Sequence, residues 1–171
     1  KNVLPNGGFE NGRQGWTVSG GTLASVTSGS NLLTGKTSVT WDSNGAGQTL
    51  RSSSIAIPNG LKGRNGVAVC RIMTPSGTAT HTIGADDGTN VLSTNTIVST
   101  TTPSYNYSTF IFPSSGNIRL RIASVASDEP SITIDDCWLG DAAEIILTNI
   151  SSAQFAGSAF IASATSCTAA V

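Results

Sequence analysis

Apolar and polar positions along the chain alternate in short runs, and the runs are broken by Gly, Pro, Asn and Ser clusters. That pattern predicts β-strands joined by turns. Residues 66–73 are apolar at most positions on both faces, as a central strand of a sandwich requires. Residues 117–122 alternate cleanly, with Ile118, Leu120 and Ile122 facing in and Arg119 and Arg121 facing out. In residues 105–112 the tyrosines Tyr105 and Tyr107 share one face, while Phe110 and Phe112 have the opposite parity and read as core. Residues 132–139 form the last predicted strand, in which Trp138 shares parity with Ile132 and Ile134 and is expected inside. Further strands are predicted at 20–27, 37–41, 55–57, 78–85 and 91–98, and residues 48–54 read as a connection. The total is about nine to ten strands at the spacing of a β-sandwich.

The two ends of this pattern are its most specific parts. The chain opens with an extended Asn2-Val-Leu segment, a Pro5-Asn-Gly-Gly8 turn, an apolar anchor at Phe9 and a carboxylate at Glu10. A second Gly-rich turn then leads to Trp16. Far downstream lies Ser131-Ile-Thr-Ile-Asp-Asp-Cys-Trp-Leu-Gly140. Together these stretches resemble the first and last strands of carbohydrate-binding modules with the galactose-binding-like jelly-roll fold, and the resemblance covers roughly residues 2–140. It implies an all-β jelly-roll sandwich whose two ends meet in space, around a structural calcium. The ligands it implies are the side chains of Glu10 and Asp135 and the carbonyls of Gly8 and Lys36. Calcium takes roughly six to eight oxygen ligands, and Leu33 stands where the family often has a further acid.

The segment 141–171 has a different character. It is rich in Ala, Ser, Thr and Ile, has no Pro, and its only acids are Asp141 and Glu144. The apolar residues of 144–150 and 159–162 have no place in an already complete sandwich and would be an aggregation hazard if exposed. Burial between copies of the chain solves this. The segment resembles the stretch C-terminal to such modules in phage-tail-fibre proteins and in the trimeric fibre tips of predatory bacteria. We therefore expect residues 1–140 to be the sandwich and 141–171 to be a short β-rich segment associated with homotrimerisation.

Composition narrows the partners. The chain has 171 residues, 11% of them charged, and a formal net charge of −1. That argues against nucleic acid and anionic membranes as partners. No apolar run reaches the ~18 residues of a bilayer span, so no membrane insertion is expected. The first residue is Lys1 and there is no signal-peptide n-region, which reads as a processed product or an excised piece. Three cysteines, Cys70, Cys137 and Cys167, cannot all pair within one chain and match no zinc spacing. Cys70 and Cys137 sit within apolar strand patterns, and buried free thiols are the favoured reading over a disulfide.

The residues carry little sign of catalysis. The one histidine, His81, lies in a predicted strand, and no nucleophile motif or metal cluster accompanies it. Asp135 and Asp136 are adjacent on a strand and point to opposite faces, unlike a glycosidase pair. Asp86, Asp87, Asp128 and Glu129 sit in turns, where acids are ordinary. The expectation is a non-enzyme. Sugar binding requires aromatic faces beside planar polar groups, and the candidates are Arg71, His81, Asp87, Asn90, Tyr105 and Tyr107; Arg119 and Trp41 are further possibilities. Aromatic content of 6% suits a pocket or loop site for a short glycan better than a flat platform.

These observations lead to one preferred expectation and two rivals. The first is a non-catalytic, extracellular or cell-surface adhesin, a fibre tip that binds surface glycans or polysaccharide. The second is an accessory carbohydrate-binding module of a glycoside hydrolase. The third is a structural fibre domain with no ligand.

Overall fold

A computed structural model describes residues 1–145. Residues 146–171, and with them most of the expected trimerisation segment and Cys167, lie outside the described residues. The strands in chain order are β1 (Trp16–Val18), β2 (Thr22–Val26), β3 (Ser38–Asp42), β4 (Thr49–Ser52), β5 (Ile55–Ala56), β6 (Asn65–Met73), β7 (Ala79–Asp86), β8 (Val91–Ser99), β9 (Ser104–Ile111), β10 (Asn117–Ser124) and β11 (Ile132–Asp141). A short helix, α1 (Ala142–Ile145), comes after them. Two antiparallel sheets result. A six-stranded sheet runs β1-β4-β10-β7-β8 with β5 also pairing β10, and a five-stranded sheet runs β2-β3-β11-β6-β9. This is the jelly-roll sandwich expected from the sequence. β1 and β4 are not among the strands expected from the pattern, because β1 is only three residues long and the Ser-rich 48–54 region reads as a connection.

The core lies between the sheets. Leu50, Ile83, Ile118, Leu120 and Ile122 from one sheet meet Val39, Trp41, Ile72, Ile134 and Leu139 from the other, and all ten are fully buried. Each such side chain contributes roughly 1.5–3 kcal/mol over its exposed state. Phe110 and Phe112 are buried as their parity required.

The N-terminal segment closes the sandwich. β3 pairs with β11 only at Ile132, Thr133 and Ile134. Beyond that point residues 2–7 take its place beside β11. The Val3 N–H donates to the Leu139 carbonyl at 2.8 Å. The Asn2 side chain accepts from the Leu139 N–H at 3.0 Å and donates to the Cys137 carbonyl at 3.0 Å. The Cys137 N–H donates to the Gly7 carbonyl at 2.8 Å. Phe9 and Trp16 are buried with ring centroids 4.7 Å apart, and the Trp16 Nε1 donates to the Asn6 carbonyl.

One irregularity overturns two expectations. Along β11 and β6, Asp135 pairs with Arg71 but Trp138 pairs with Val69, so Asp136 and Cys137 together face the single residue Cys70. This is a β-bulge, and Asp136 takes a positive φ of 48° within it. The extra residue reverses the parity of everything after it. Cys137 therefore turns inward beside Cys70, and the two form a disulfide in place of the expected free thiols. Trp138 turns outward, half-buried, where unbroken alternation would have placed it in the core.

Candidate functional site

The outer faces of the two sheets differ. On the five-stranded sheet the outward Val67 and Val69 are fully buried, because Tyr105, Tyr107, Trp138 and Ala142 pack over them. Further along that face Thr133, Asp135 and Ser38 are also fully buried. The segment 33–38 lies against them. The Asp135 Oδ2 accepts from the Thr34 N–H at 3.0 Å, the Thr34 hydroxyl at 2.8 Å and the Ser38 hydroxyl at 2.7 Å. Its Oδ1 accepts from the Asp136 N–H at 2.7 Å. Glu10 accepts from the Lys36 N–H with both oxygens, at 3.0 and 3.1 Å.

These bonds involve three of the four residues named for calcium. Glu10, Lys36 and Asp135 come together around residues 33–38, and Gly8 adjoins the Gly7 that bonds Cys137. Their arrangement is that of donors around carboxylates: Lys36 presents its N–H to Glu10, and Asp135 Oδ2 already receives three donors. No group of three or more His, Cys, Asp or Glu suited to a metal occurs among the described residues. As arranged, the carboxylates of Glu10 and Asp135 are engaged by donors of the protein itself.

The six candidate sugar contacts fall into three places. Arg71, Tyr105 and Tyr107 share the outer face of the five-stranded sheet, with Arg71 paired to Tyr105 across β6 and β9. Arg71 donates to the Leu33 carbonyl at 3.2 Å. Tyr105 donates its hydroxyl to Asp136, and burial followed by that bond raises its pKa to about 12. Asp87 and Asn90 lie together in the β7–β8 turn. The Asp87 carboxylate accepts from the Asn90 and Thr89 N–H groups and the Asn90 side chain, which hold its pKa below the usual value. His81 is separated from both groups. It is fully buried in the core, 5.7 Å from the Trp41 ring, and burial lowers its pKa. It has no route to a surface ligand, so that candidate is withdrawn, and the fully buried Trp41 with it.

The outer face of the six-stranded sheet is polar and only partly covered. Thr17, Arg51, Arg121, Gly84 and Thr94 form one row across it, from β1 to β8. Arg119 and Asp86 form the next row. Thr17 and Thr94 are exposed, the three arginines are half-buried, and Asp86 is 2% exposed. The Arg51 Nε reaches across β10 to lie 2.9 Å from the Asp86 Oδ2, an ion pair outside hydrogen-bond geometry. The Asp86 Oδ1 accepts from the Gly88 N–H at 2.9 Å. The Nε atoms of Arg119 and Arg121 are buried and have no hydrogen-bond partner among the described residues. Burial and then the neighbouring Arg51 push the Arg121 guanidinium below its usual pKa. Gly84 leaves the centre of the row without a side chain. A Cβ there would stand 1.9 Å from the Ser93 carbonyl oxygen, so only glycine fits.

Sequence reasoning placed Arg119 and Arg121 on an outward face but missed Arg51 and Asp86 as their neighbours. Finding them required the order β4-β10-β7, which no local pattern encodes.

The sandwich defined by these sheets is a jelly roll like those of carbohydrate-binding modules. The chain is similar in fold to TmCBM61, solved in complex with β-1,4-galactotriose, with a TM-score of 0.63 and 20% identity over 82% of this chain and 99% of that one. It is similar to the CBM22-1 xylan-binding domain of Xyn10C from Paenibacillus barcinonensis, with a TM-score of 0.55 and 13% identity over 74% and 85%. It is also similar to the Stig cyclase Fisc from Fischerella sp., with a TM-score of 0.65 and 12% identity over 81% and 95%. At these identities the likeness concerns the fold. No family model matches the chain, and no curated protein does.

Proposed function

We propose that this domain is a non-catalytic glycan-binding module, and that the outer face of the six-stranded sheet is its binding face. The observation that carries the reading is the assembly of Arg51, Asp86, Arg119 and Arg121 on neighbouring positions of this face, in rows of which the first ends in the exposed Thr17 and Thr94. Planar guanidinium and carboxylate groups of this kind bind sugar hydroxyls with fixed direction. Structural neighbours solved with galactotriose and as a xylan-binding domain support the ligand class. Burial of the sole histidine supports a non-catalytic role. Affinity electrophoresis against galactan, xylan and mixed cell-surface glycans tests it. Retention that is lost in Arg51→Ala and kept in Tyr107→Ala supports this face. The reverse moves the site to Tyr105, Tyr107 and Arg71 on the other sheet.

The finer reading is an extracellular, cell-surface adhesin displayed at the tip of a homotrimeric fibre. Its support is the apolar sequence within 144–162, which burial between copies would accommodate. Trimerisation would multiply a weak monovalent affinity through effective concentration. Light scattering of the full chain decides: a trimer mass supports the fibre tip, and a monomer mass removes it. The accessory-module reading is favoured by a different observation. The chain matches 28% of a Clostridium thermocellum Xyn10B structure that holds CBM22-1 and GH10 modules. A structural calcium at Gly8, Glu10, Lys36 and Asp135 is a separate proposal, and it requires the donors of 34–38 to turn away. A melting temperature unchanged by chelator would remove it.

A further inference from the structure

We infer that the glycan is acidic, and that the open face of the six-stranded sheet receives a sugar carboxylate among Arg51, Arg119 and Arg121. The inference rests on the reading of that face as the glycan site and names the chemistry it selects.

Charge is the first ground. Nine Lys and Arg serve the whole chain, whose net charge is −1, yet three of the nine stand on neighbouring positions of β4 and β10. The compensating acid on that face is Asp86, and it is held in place by Arg51 on one oxygen and the Gly88 N–H on the other. One fixed carboxylate leaves two of three positive charges unbalanced. Asp87, in the adjoining turn, has both oxygens engaged by Thr89 and Asn90. Even with Asp87 counted, the face remains positive.

The second ground is the state of the arginines. Half-buried like charges repel through a medium less polar than water. The depressed Arg121 guanidinium registers that strain, with burial the larger cause and Arg51 the next. The buried Nε atoms of Arg119 and Arg121 have no partner among the described residues. The guanidinium fork matches a carboxylate in two parallel hydrogen bonds, which a neutral hydroxyl cannot reproduce.

Shape is the third ground. The row from Arg51 to Thr94 passes over Gly84, where no side chain stands. The Arg119 guanidinium lies at the edge of the face, its Nη2 3.6 Å from where a Cβ on Gly88 would be. Gly84 itself is buried against the Ser93 backbone, so a sugar carboxylate approaches the half-buried arginines from the solvent side, where the exposed Thr17 and Thr94 stand at the two ends of the row.

The test titrates the full chain with polygalacturonate, the same polymer methyl-esterified, neutral β-1,4-galactan and polyglutamate, by calorimetry at low and high salt. Lys62, exposed and outside this face, is the control as Lys62→Gln. The expected result is affinity for polygalacturonate about tenfold or more above its ester, weakening with salt and falling by about tenfold in Arg51→Gln and in Arg121→Gln. Equal affinity for acid and ester, reduced together by the arginine variants, overturns the acidic ligand and leaves the glycan reading standing. Polyglutamate bound as tightly as polygalacturonate overturns it too, since the face is then a general anion patch. Binding to no polysaccharide overturns both readings. Should either variant melt before the titration, the comparison of acid and ester on the unaltered chain decides alone.

Discussion

Cys70 and Cys137 are bonded across neighbouring strands, with Cα atoms 4.1 Å apart, at the one place where β11 carries an extra residue. The bond links positions 67 residues apart. A loop of that length restricts the unfolded chain by an amount worth about 4 kcal/mol in the entropic account. Reduction should therefore shift the guanidinium midpoint markedly downward, and denaturation with and without reductant measures it. An unchanged midpoint would show that the cross-link adds nothing to stability.

His81 gives the domain a pH dependence. Its pKa is lowered by burial, with Glu129 opposing in part. The native state therefore keeps the ring neutral at pH values where the unfolded chain protonates it. The stabilisation is complete above the unfolded value near 6.5 and is lost as pH falls below it. Melting temperatures between neutral pH and about pH 5 should decline, and His81→Phe should flatten that decline. The lowered Asp87 pKa acts at more acidic pH and leaves this window clear.

Gly7 stands where nothing larger fits. A Cβ would lie 2.2 Å from the Cys137 carbonyl oxygen, which also accepts the Asn2 side chain. Gly7→Ala should destabilise the domain by roughly 1–3 kcal/mol, because backbone must move. Urea unfolding of Gly7→Ala beside Gly8→Ala, where nothing lies within 4 Å, isolates the effect.

Asp135 is an acceptor with no solvent. Replacing it by Asn puts an amide where Oδ1 or Oδ2 now receives N–H and hydroxyl donors. Asp135→Asn should cost about 2–3 kcal/mol by leaving donors facing donors. A midpoint within error of the parent would mean that the 34–38 segment re-forms its bonds elsewhere.

Most of the sandwich was legible because period-two alternation survives in strands such as β9 and β10. Phe110 against Tyr107, and Ile118 against Arg119, were assigned to the right faces from parity alone. Trp138 and Cys137 were not, since a bulge costs one residue of register and leaves no trace in an apolar run. The site was less legible still. Arg51 meets Asp86 only because β4 and β7 flank β10, strands far apart in the chain. His81 sits in a Thr-rich strand that looks half-exposed, and its burial comes from Trp41 on the opposite sheet.

The clip between Asn2 and β11 also sets when the fold can close. Asn2 bonds Cys137 and Leu139 across 135 and 137 positions of sequence. During vectorial synthesis Asn2, Val3 and Gly7 have no strand to pair with until the last strand has emerged, so the pairing that seals the sandwich is among the latest to form. Non-local closure of this kind slows folding, and it leaves the apolar surface near Leu4 and Phe9, buried in the finished domain, exposed to other nascent chains in the interval.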